Sequence, residues 1–121
     1  MKNRSYMLFV KDILASIDKI GRFIQGMSFE QFVKDEMLID GVVRNLEIIG
    51  EASRTIPESL KKQHPDIPWK SMIAFRNLAI HEYFQLDLSI TWKIITKDLP
   101  ETKPKVEAML KAMEEKEKSK H

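Results

Sequence analysis

Apolar residues recur at intervals of three and four through most of the chain, which is the spacing of amphipathic helices. In the first half, this pattern predicts a helix over residues 6–24, a short helix that ends near residue 34 and a long helix over residues 35–56. Ser28 and Gln31 have the spacing of a capping box at the start of the short helix. In the long helix, Gly41 and Gly50 would allow a neighbouring backbone to come close, because they carry no Cβ atom.

The second half repeats the helical pattern after a loop with two prolines. Residues 64–69 (HPDIPW) predict a rigid loop, because each proline fixes its own φ and disfavours helix in the residue before it. Helical spacing then resumes over residues 69–83, 86–97 and 100–113. Since no segment alternates as a strand does, we predict an all-α fold, an antiparallel bundle of about five helices.

Length and composition limit the organisation and the chemistry. With 121 residues, 43% of them hydrophobic, the chain can bury one core, so we expect one domain over residues 1–113 and a charged, disordered tail over residues 114–121. The lack of cysteine excludes disulfides and thiol catalysis. The sequence shows no signal peptide and no membrane-spanning run, so we expect a cytoplasmic protein that has no membrane contact. A net charge of +2 means that any contact with RNA must be local.

The segment from Arg76 to Tyr83 carries the strongest candidate chemistry. On a helix, Arg76, Asn77, His81 and Tyr83 would fall on one side. Arg76 could hold the scissile phosphate of an RNA strand, and His81 could take the proton of the 2′-hydroxyl or give one to the leaving 5′-oxygen, without a metal. Asn77 could orient the imidazole or contact phosphate. On spacing alone, a structural interpretation is favoured, in which Arg76 forms a surface ion pair, His81 is a half-buried histidine and Tyr83 packs as an aromatic residue.

Two isoleucines, Ile73 and Ile80, fall inside the polar arc of this helix. A monomer would have to expose or cover them, so we expect a second helix to pack there. If that helix belongs to a second copy of the chain, two sets of Arg76 and His81 would line one shared cleft.

Other charged residues are weaker candidates. Arg44, Glu47, Glu51 and Arg54 are spaced for a ladder of ion pairs along the long helix, and Arg44 is a secondary candidate for an RNA contact. No second cluster of acidic or histidine residues has ligand spacing, so we predict no metal and no cofactor. Three lysines near the proline loop could extend electrostatic attraction toward RNA, although such lysines are usually a solvated surface: Lys61, Lys62 and Lys70.

The string Arg76-x4-His81-x-Tyr83 resembles the R-x4-H-x-Y motif of the HepT-like toxins in the HEPN superfamily. Residues 44–52, 64–69 and 98–100 resemble further segments of that family in the same order, so that the resemblance covers residues 4–112. It implies a HEPN helical bundle that forms a homodimer and acts as a metal-independent ribonuclease. The resemblance assigns catalysis to Arg76 and His81, with Asn77 assisting.

The resemblance also implies a partner, a minimal nucleotidyltransferase (MNT) antitoxin in a type VII-like toxin–antitoxin pair. Such an antitoxin would silence the toxin by transferring AMP to Tyr83, where the added phosphate could meet Arg76 and obstruct RNA. The alternative is a non-catalytic helical subunit that presents substrate to a nucleotidyltransferase or regulates it, with Arg76 and His81 shaping an interface. A bundle without activity explains the motif least well.

Overall fold

The computed structural model describes residues 2–80 and 87–119, with side chains over residues 4–77 and 87–119. This part of the chain contains helices and no strand, which confirms the all-α prediction. The elements are α1 (Lys2–Phe23), α2 (Phe29–Val33), α3 (Glu36–Thr55), α4 (Glu58–Lys61), α5 (Trp69–Ile80), α6 (Leu88–Lys93), a π-helical segment (Ile94–Asp98) and α7 (Leu99–Ser119).

The predicted capping box starts α2. The Gln31 backbone N–H donates to Ser28 Oγ at 3.2 Å, and the Ser28 backbone N–H donates to Gln31 Oε1 at 2.9 Å. Gly26, with a φ of 72°, turns the chain between α1 and α2. Asp35 then caps α3 by accepting a hydrogen bond from the Leu38 N–H at 3.0 Å. Local hydrogen bonding therefore sets both helix starts.

Helix α1 lies between α3 and α7, while α5 packs on α3. A Cβ atom at Gly41 would lie 3.4 Å from the Phe23 ring, so the end of α1 meets the start of α3. Asp18, near the end of α1, pairs at 2.8 Å with Lys103 near the start of α7. Helix α1 is thus antiparallel to both neighbours, as predicted. Side chains from α1, α2, α3 and α7 form the centre of the core: Val10, Ile13, Phe32, Val42, Leu46, Ile49, Val106 and Met109.

The proline loop is fixed to the bundle by Trp69. The buried Trp69 side chain donates from Nε1 to the carbonyl oxygen of His64 at 3.0 Å, which closes the loop, and Ile67 is buried beneath it. Before the loop, residues 58–61 form the short helix α4, which we did not predict. A single turn is too short to display helical periodicity in the sequence.

The C-terminal part differs from the prediction in two ways. Residues 94–98 form a π-helical segment, in which the Leu99 N–H donates to the carbonyl oxygen of Ile94, five residues earlier. Helix α7 then continues to Ser119, whereas we expected a disordered tail from Glu114. Glutamate and lysine favour helix, and Glu114 and Lys118 have the spacing of a helical ion pair, so the charged run extends the helix. Lys116 also donates to Gln63 at 3.1 Å, which ties the extension to the loop before α5.

Candidate active site

Arg76 lies where α5 comes closest to α3. A Cβ atom at Gly50 would lie only 2.8 Å from the backbone nitrogen of Arg76 and 3.0 Å from its Cβ. No residue with a side chain fits this position unless one helix moves. The prediction that Gly50 admits a neighbouring backbone is confirmed, whereas Gly41 faces the ring of Phe23 instead. The contact fixes the position of Arg76 relative to α3.

Glu51, the next residue on α3, holds the Arg76 side chain. The Arg76 Nε donates to Glu51 Oε1 across the two helices, and the side chains are 39% and 49% exposed. Because water screens a pair this exposed, its contribution to folding is modest. Its larger effect is to orient the guanidinium, which has further N–H donors for a phosphate.

This pair corrects the ion-pair ladder predicted along α3. Arg44 and Glu47 do pair within the helix, at 2.8 Å, but Glu51 reaches across to α5. Sequence spacing could not reveal this partner, because Glu51 and Arg76 are far apart in the chain. Gly50 was the available signal, since a glycine inside a helix often marks a close approach of another element.

The remaining motif residues follow Arg76 in the sequence. Asn77 is exposed beside it, and Ile73, one turn earlier, is half-buried. The described helix ends at Ile80, and His81 and Tyr83 lie outside the described residues. Their placement on the face of Arg76 therefore stays a prediction from helical register.

Arg44 lies on a neighbouring surface and does not join the Arg76 site directly. Its side chain is 68% exposed. Together with Glu51, it lines a groove of about 350 Å³ between α1 and α3, which also includes Phe9 and Asp12. Arg44 thus borders the same groove as the partner of Arg76, and its role as an RNA contact stays a prediction.

The three lysines flank one groove between α4 and the first turn of α5. It has a volume of about 450 Å³, and Lys61, Lys62 and Lys70 line it together with Trp69 and Ile73. The half-buried Ile73 therefore faces basic side chains of its own chain, whether or not a second copy packs nearby.

A group that could bind a metal ion and a helix that could span a membrane are two further features that would bear on function. Within residues 2–80 and 87–119, His, Asp and Glu side chains form no group of three or more that could hold a metal ion. None of the helices described is both long and apolar enough to cross a bilayer.

The family model described as Ribonuclease HepT-like matches residues 13–109 of this chain. The chain belongs to the HepT-like ribonuclease family. The matched range includes every candidate site residue by number: Arg44, Arg76, Asn77, His81 and Tyr83. No solved structure matches the chain significantly.

Curated relatives extend the similarity over nearly the whole chain. A protein of Thermococcus cleftensis named "Probable ribonuclease HepT" is 41% identical over 108 residues, 89% of this chain and 98% of the relative. A protein of Methanocaldococcus jannaschii, provisionally named an RNase, is 39% identical over 107 residues, 88% of this chain and 98% of the relative. Another provisionally named RNase, from Caldanaerobacter subterraneus subsp. tengcongensis, is 38% identical over 102 residues, 84% of this chain and 91% of the relative.

Proposed function

We propose that this member of the HepT-like ribonucleases is the toxin of a toxin–antitoxin pair and cleaves RNA without a metal ion. The observation that carries the proposal is the position of Arg76. Its backbone rests on Gly50, its guanidinium is held by Glu51, and its helix leads toward His81. An arginine fixed in this way is suited to bind a phosphate in a defined orientation.

The reaction needs one proton acceptor, one proton donor and a positive charge at the phosphate. The 2′-oxygen of the ribose forms a bond to phosphorus while the bond to the 5′-oxygen breaks, which leaves a 2′,3′-cyclic phosphate and a free 5′-hydroxyl. Arg76 would stabilise the charge that develops on the phosphate oxygens. His81 would take the proton of the 2′-hydroxyl or supply one to the 5′-oxygen. Asn77, four residues before His81 in the sequence, would orient the imidazole or contact the phosphate.

The working form in this proposal is a homodimer. By helical register, Ile80 falls on the arc of α5 that carries Arg76 and Asn77, and a second copy of the helix would pack at Ile80, beyond the groove that Ile73 lines. A two-fold axis at this position would bring two sets of Arg76 and His81 to one cleft. A pair of histidines could then provide both the base and the acid.

The proposed partner is a nucleotidyltransferase antitoxin that modifies Tyr83. The tyrosine oxygen would attack the α-phosphate of ATP, pyrophosphate would leave, and AMP would remain on the tyrosine. On a continuous helix, Tyr83 is two turns after Arg76, so the new phosphate would compete with RNA for the guanidinium. We expect Tyr83→Phe to keep RNase activity and to lose transfer of labelled AMP from the cognate enzyme. Continued labelling of that variant would refute the assignment.

The proposal is tested by incubating purified protein with total RNA in the presence of EDTA. Wild type should cut RNA, and Arg76→Ala and His81→Ala should not, while all three proteins keep the same helical content and oligomeric mass. If wild type whose Tyr83 is shown by mass to be unmodified leaves RNA intact, the chain is instead a non-catalytic partner of the nucleotidyltransferase.

A further inference from the structure

We propose that the groove between α4 and α5 binds the phosphodiester backbone of single-stranded RNA next to the cleavage site. This inference rests on the proposed ribonuclease function and adds a substrate-binding subsite to it. The groove has a volume of about 450 Å³, and its charged lining is three lysines, Lys61, Lys62 and Lys70, against one carboxylate, Glu58. The whole chain has a net charge of only +2, so this is a local concentration of positive charge.

Lys61 differs from an ordinary surface lysine. Its side chain is only 7% exposed, while the side chain of Glu58, 3.7 Å from its ammonium group, is 77% exposed. At that distance the pair is longer than a hydrogen bond, and the solvated carboxylate is a weak partner. The Lys61 side chain is therefore already held in place, so a contact of its ammonium group with a phosphate would cost little further side-chain entropy.

Helical register connects the groove to the candidate active site. Ile73 lines the groove. Arg76 and Asn77 follow it by three and four residues, so both lie one turn further along the same side of α5. Lys70 and Asn77 are seven residues apart, two turns along one face, which is about 10 Å. A strand whose phosphate contacts Arg76 can therefore continue along α5 into the groove.

The lining favours contacts to phosphate over contacts to bases. Trp69 is the aromatic residue of the groove, but it is only 8% exposed, and its indole N–H is used by the carbonyl oxygen of His64. It offers no open ring face on which a base could stack, unlike the aromatic platforms of sequence-tolerant single-strand binders. Lysines binding phosphates give affinity without sequence preference. We expect similar affinities for oligouridine and oligoadenosine.

The test measures the salt dependence of RNA binding. Full-length protein with His81→Ala, which prevents turnover, is titrated onto fluorescent oligouridine, and anisotropy gives the affinity from about 50 to 300 mM KCl. Lys62→Gln with Lys70→Gln should lower the slope of log affinity against log salt by about 1.4, because each lost phosphate contact to a single strand removes about 0.7. If the double variant and the parent protein bind equally at 1 M salt, this difference in slope makes the double variant bind roughly tenfold more weakly at 150 mM.

The matched control removes the same charge from another helix face, with Lys105→Gln and Lys111→Gln, two exposed positions on α7. Its slope should stay close to that of the parent protein. Lys61→Met keeps the buried stem without the charge and should lower the slope by a further 0.7 or so. Circular dichroism of each variant establishes that the helices are retained.

Three results would overturn the proposal. If the groove variant and the control variant lower the slope by the same amount, total charge and not the groove attracts RNA. An unchanged slope in the groove variants would exclude the subsite. A change of oligomeric mass in the groove variants, without a change of slope, would make this surface a protein interface. Failure of the ribonuclease proposal is distinguishable, because wild type would then cut no RNA while the slopes still report on the groove.

Discussion

Replacing Gly50 with alanine puts a methyl group into the contact between α3 and α5. The new Cβ would lie 2.8 Å from Arg76 N, 3.0 Å from Arg76 Cβ and 3.2 Å from the carbonyl oxygen of Met72. Two of these three atoms belong to the backbone, and the third is the first atom of a side chain. None of them can rotate away, so α5 has to shift against α3.

The magnitude follows from two opposing effects. Overpacking of this kind costs about 1–3 kcal/mol, and contacts to backbone belong in the upper half of that range. Alanine in place of glycine inside a helix gains about 1 kcal/mol. The net loss in free energy of unfolding is about 1–2 kcal/mol, which lowers the Tm of a domain of this size by about 4–8 °C. A shift of α5 also displaces Arg76, so RNA cleavage should fall several-fold.

Thermal unfolding followed by circular dichroism measures this effect, and Gly21→Ala is the matched control. Gly21 lies in α1, and a Cβ there would meet no atom within 4 Å. The control should therefore gain up to about 1 kcal/mol from helix propensity alone. If Gly50→Ala proves as stable as Gly21→Ala, the close approach of α3 and α5 at Arg76 is refuted.

Two further predictions concern single carboxylates. Glu51→Gln removes the charge that orients Arg76; we expect it to change the Tm little, because the pair is largely exposed, but to lower RNA cleavage several-fold, and more than Glu47→Gln does. Equal effects of the two variants on cleavage would contradict a positioning role. Asp87, the N-cap of α6, accepts hydrogen bonds from the Ser89 hydroxyl and from backbone N–H groups, which lower the pKa of its carboxyl group. Its stabilisation is thus present above the ordinary pKa and lost as pH falls through the lowered value, so Asp87→Ala should lower the Tm at pH 7 by an amount that shrinks below about pH 4. A difference that is constant with pH would refute this.

The elements that could be predicted from the sequence are those that local chemistry determines. Ser28 and Gln31 satisfy each other's backbone N–H groups within one turn, so the start of α2 is visible in four residues. The apolar spacing of α3 and the two prolines of the loop over residues 64–69 also act through residues that are close in the sequence. The close approach of a neighbouring backbone at Gly50 was also predictable, whereas the identity of that neighbour as α5 was not, nor was the ring of Phe23 that Gly41 meets instead.

What sequence missed depends on contacts between distant residues. The partner of Glu51 is Arg76 on another helix, while its neighbours along α3 suggested a ladder within the helix. The π-helical segment left no signal in the sequence, because the spacing of its buried residues Ile94, Ile95 and Leu99 also fits one face of a regular α-helix. The charged run after Met113 was expected to be disordered from its composition, yet it continues α7.

The burial of Lys61 is also a feature that the sequence did not predict. In the sequence, it is one of three lysines near a loop, and composition suggests a solvated surface. In the fold, its side chain is almost entirely buried and lines the groove between α4 and α5. A residue's burial is a property of its neighbours in space, so no local pattern distinguished Lys61 from Lys62.

The chemistry of the RNA ends tests most directly whether Arg76 and His81 cleave RNA without a metal ion. A synthetic oligonucleotide with one ribose in a deoxyribose background is incubated with the protein in EDTA, and the products are identified by mass. We predict cleavage after that ribose, with a 2′,3′-cyclic phosphate and a 5′-hydroxyl, and loss of both products in Arg76→Ala and His81→Ala. Cleavage that persists in those variants, or that requires a divalent metal ion, would contradict it.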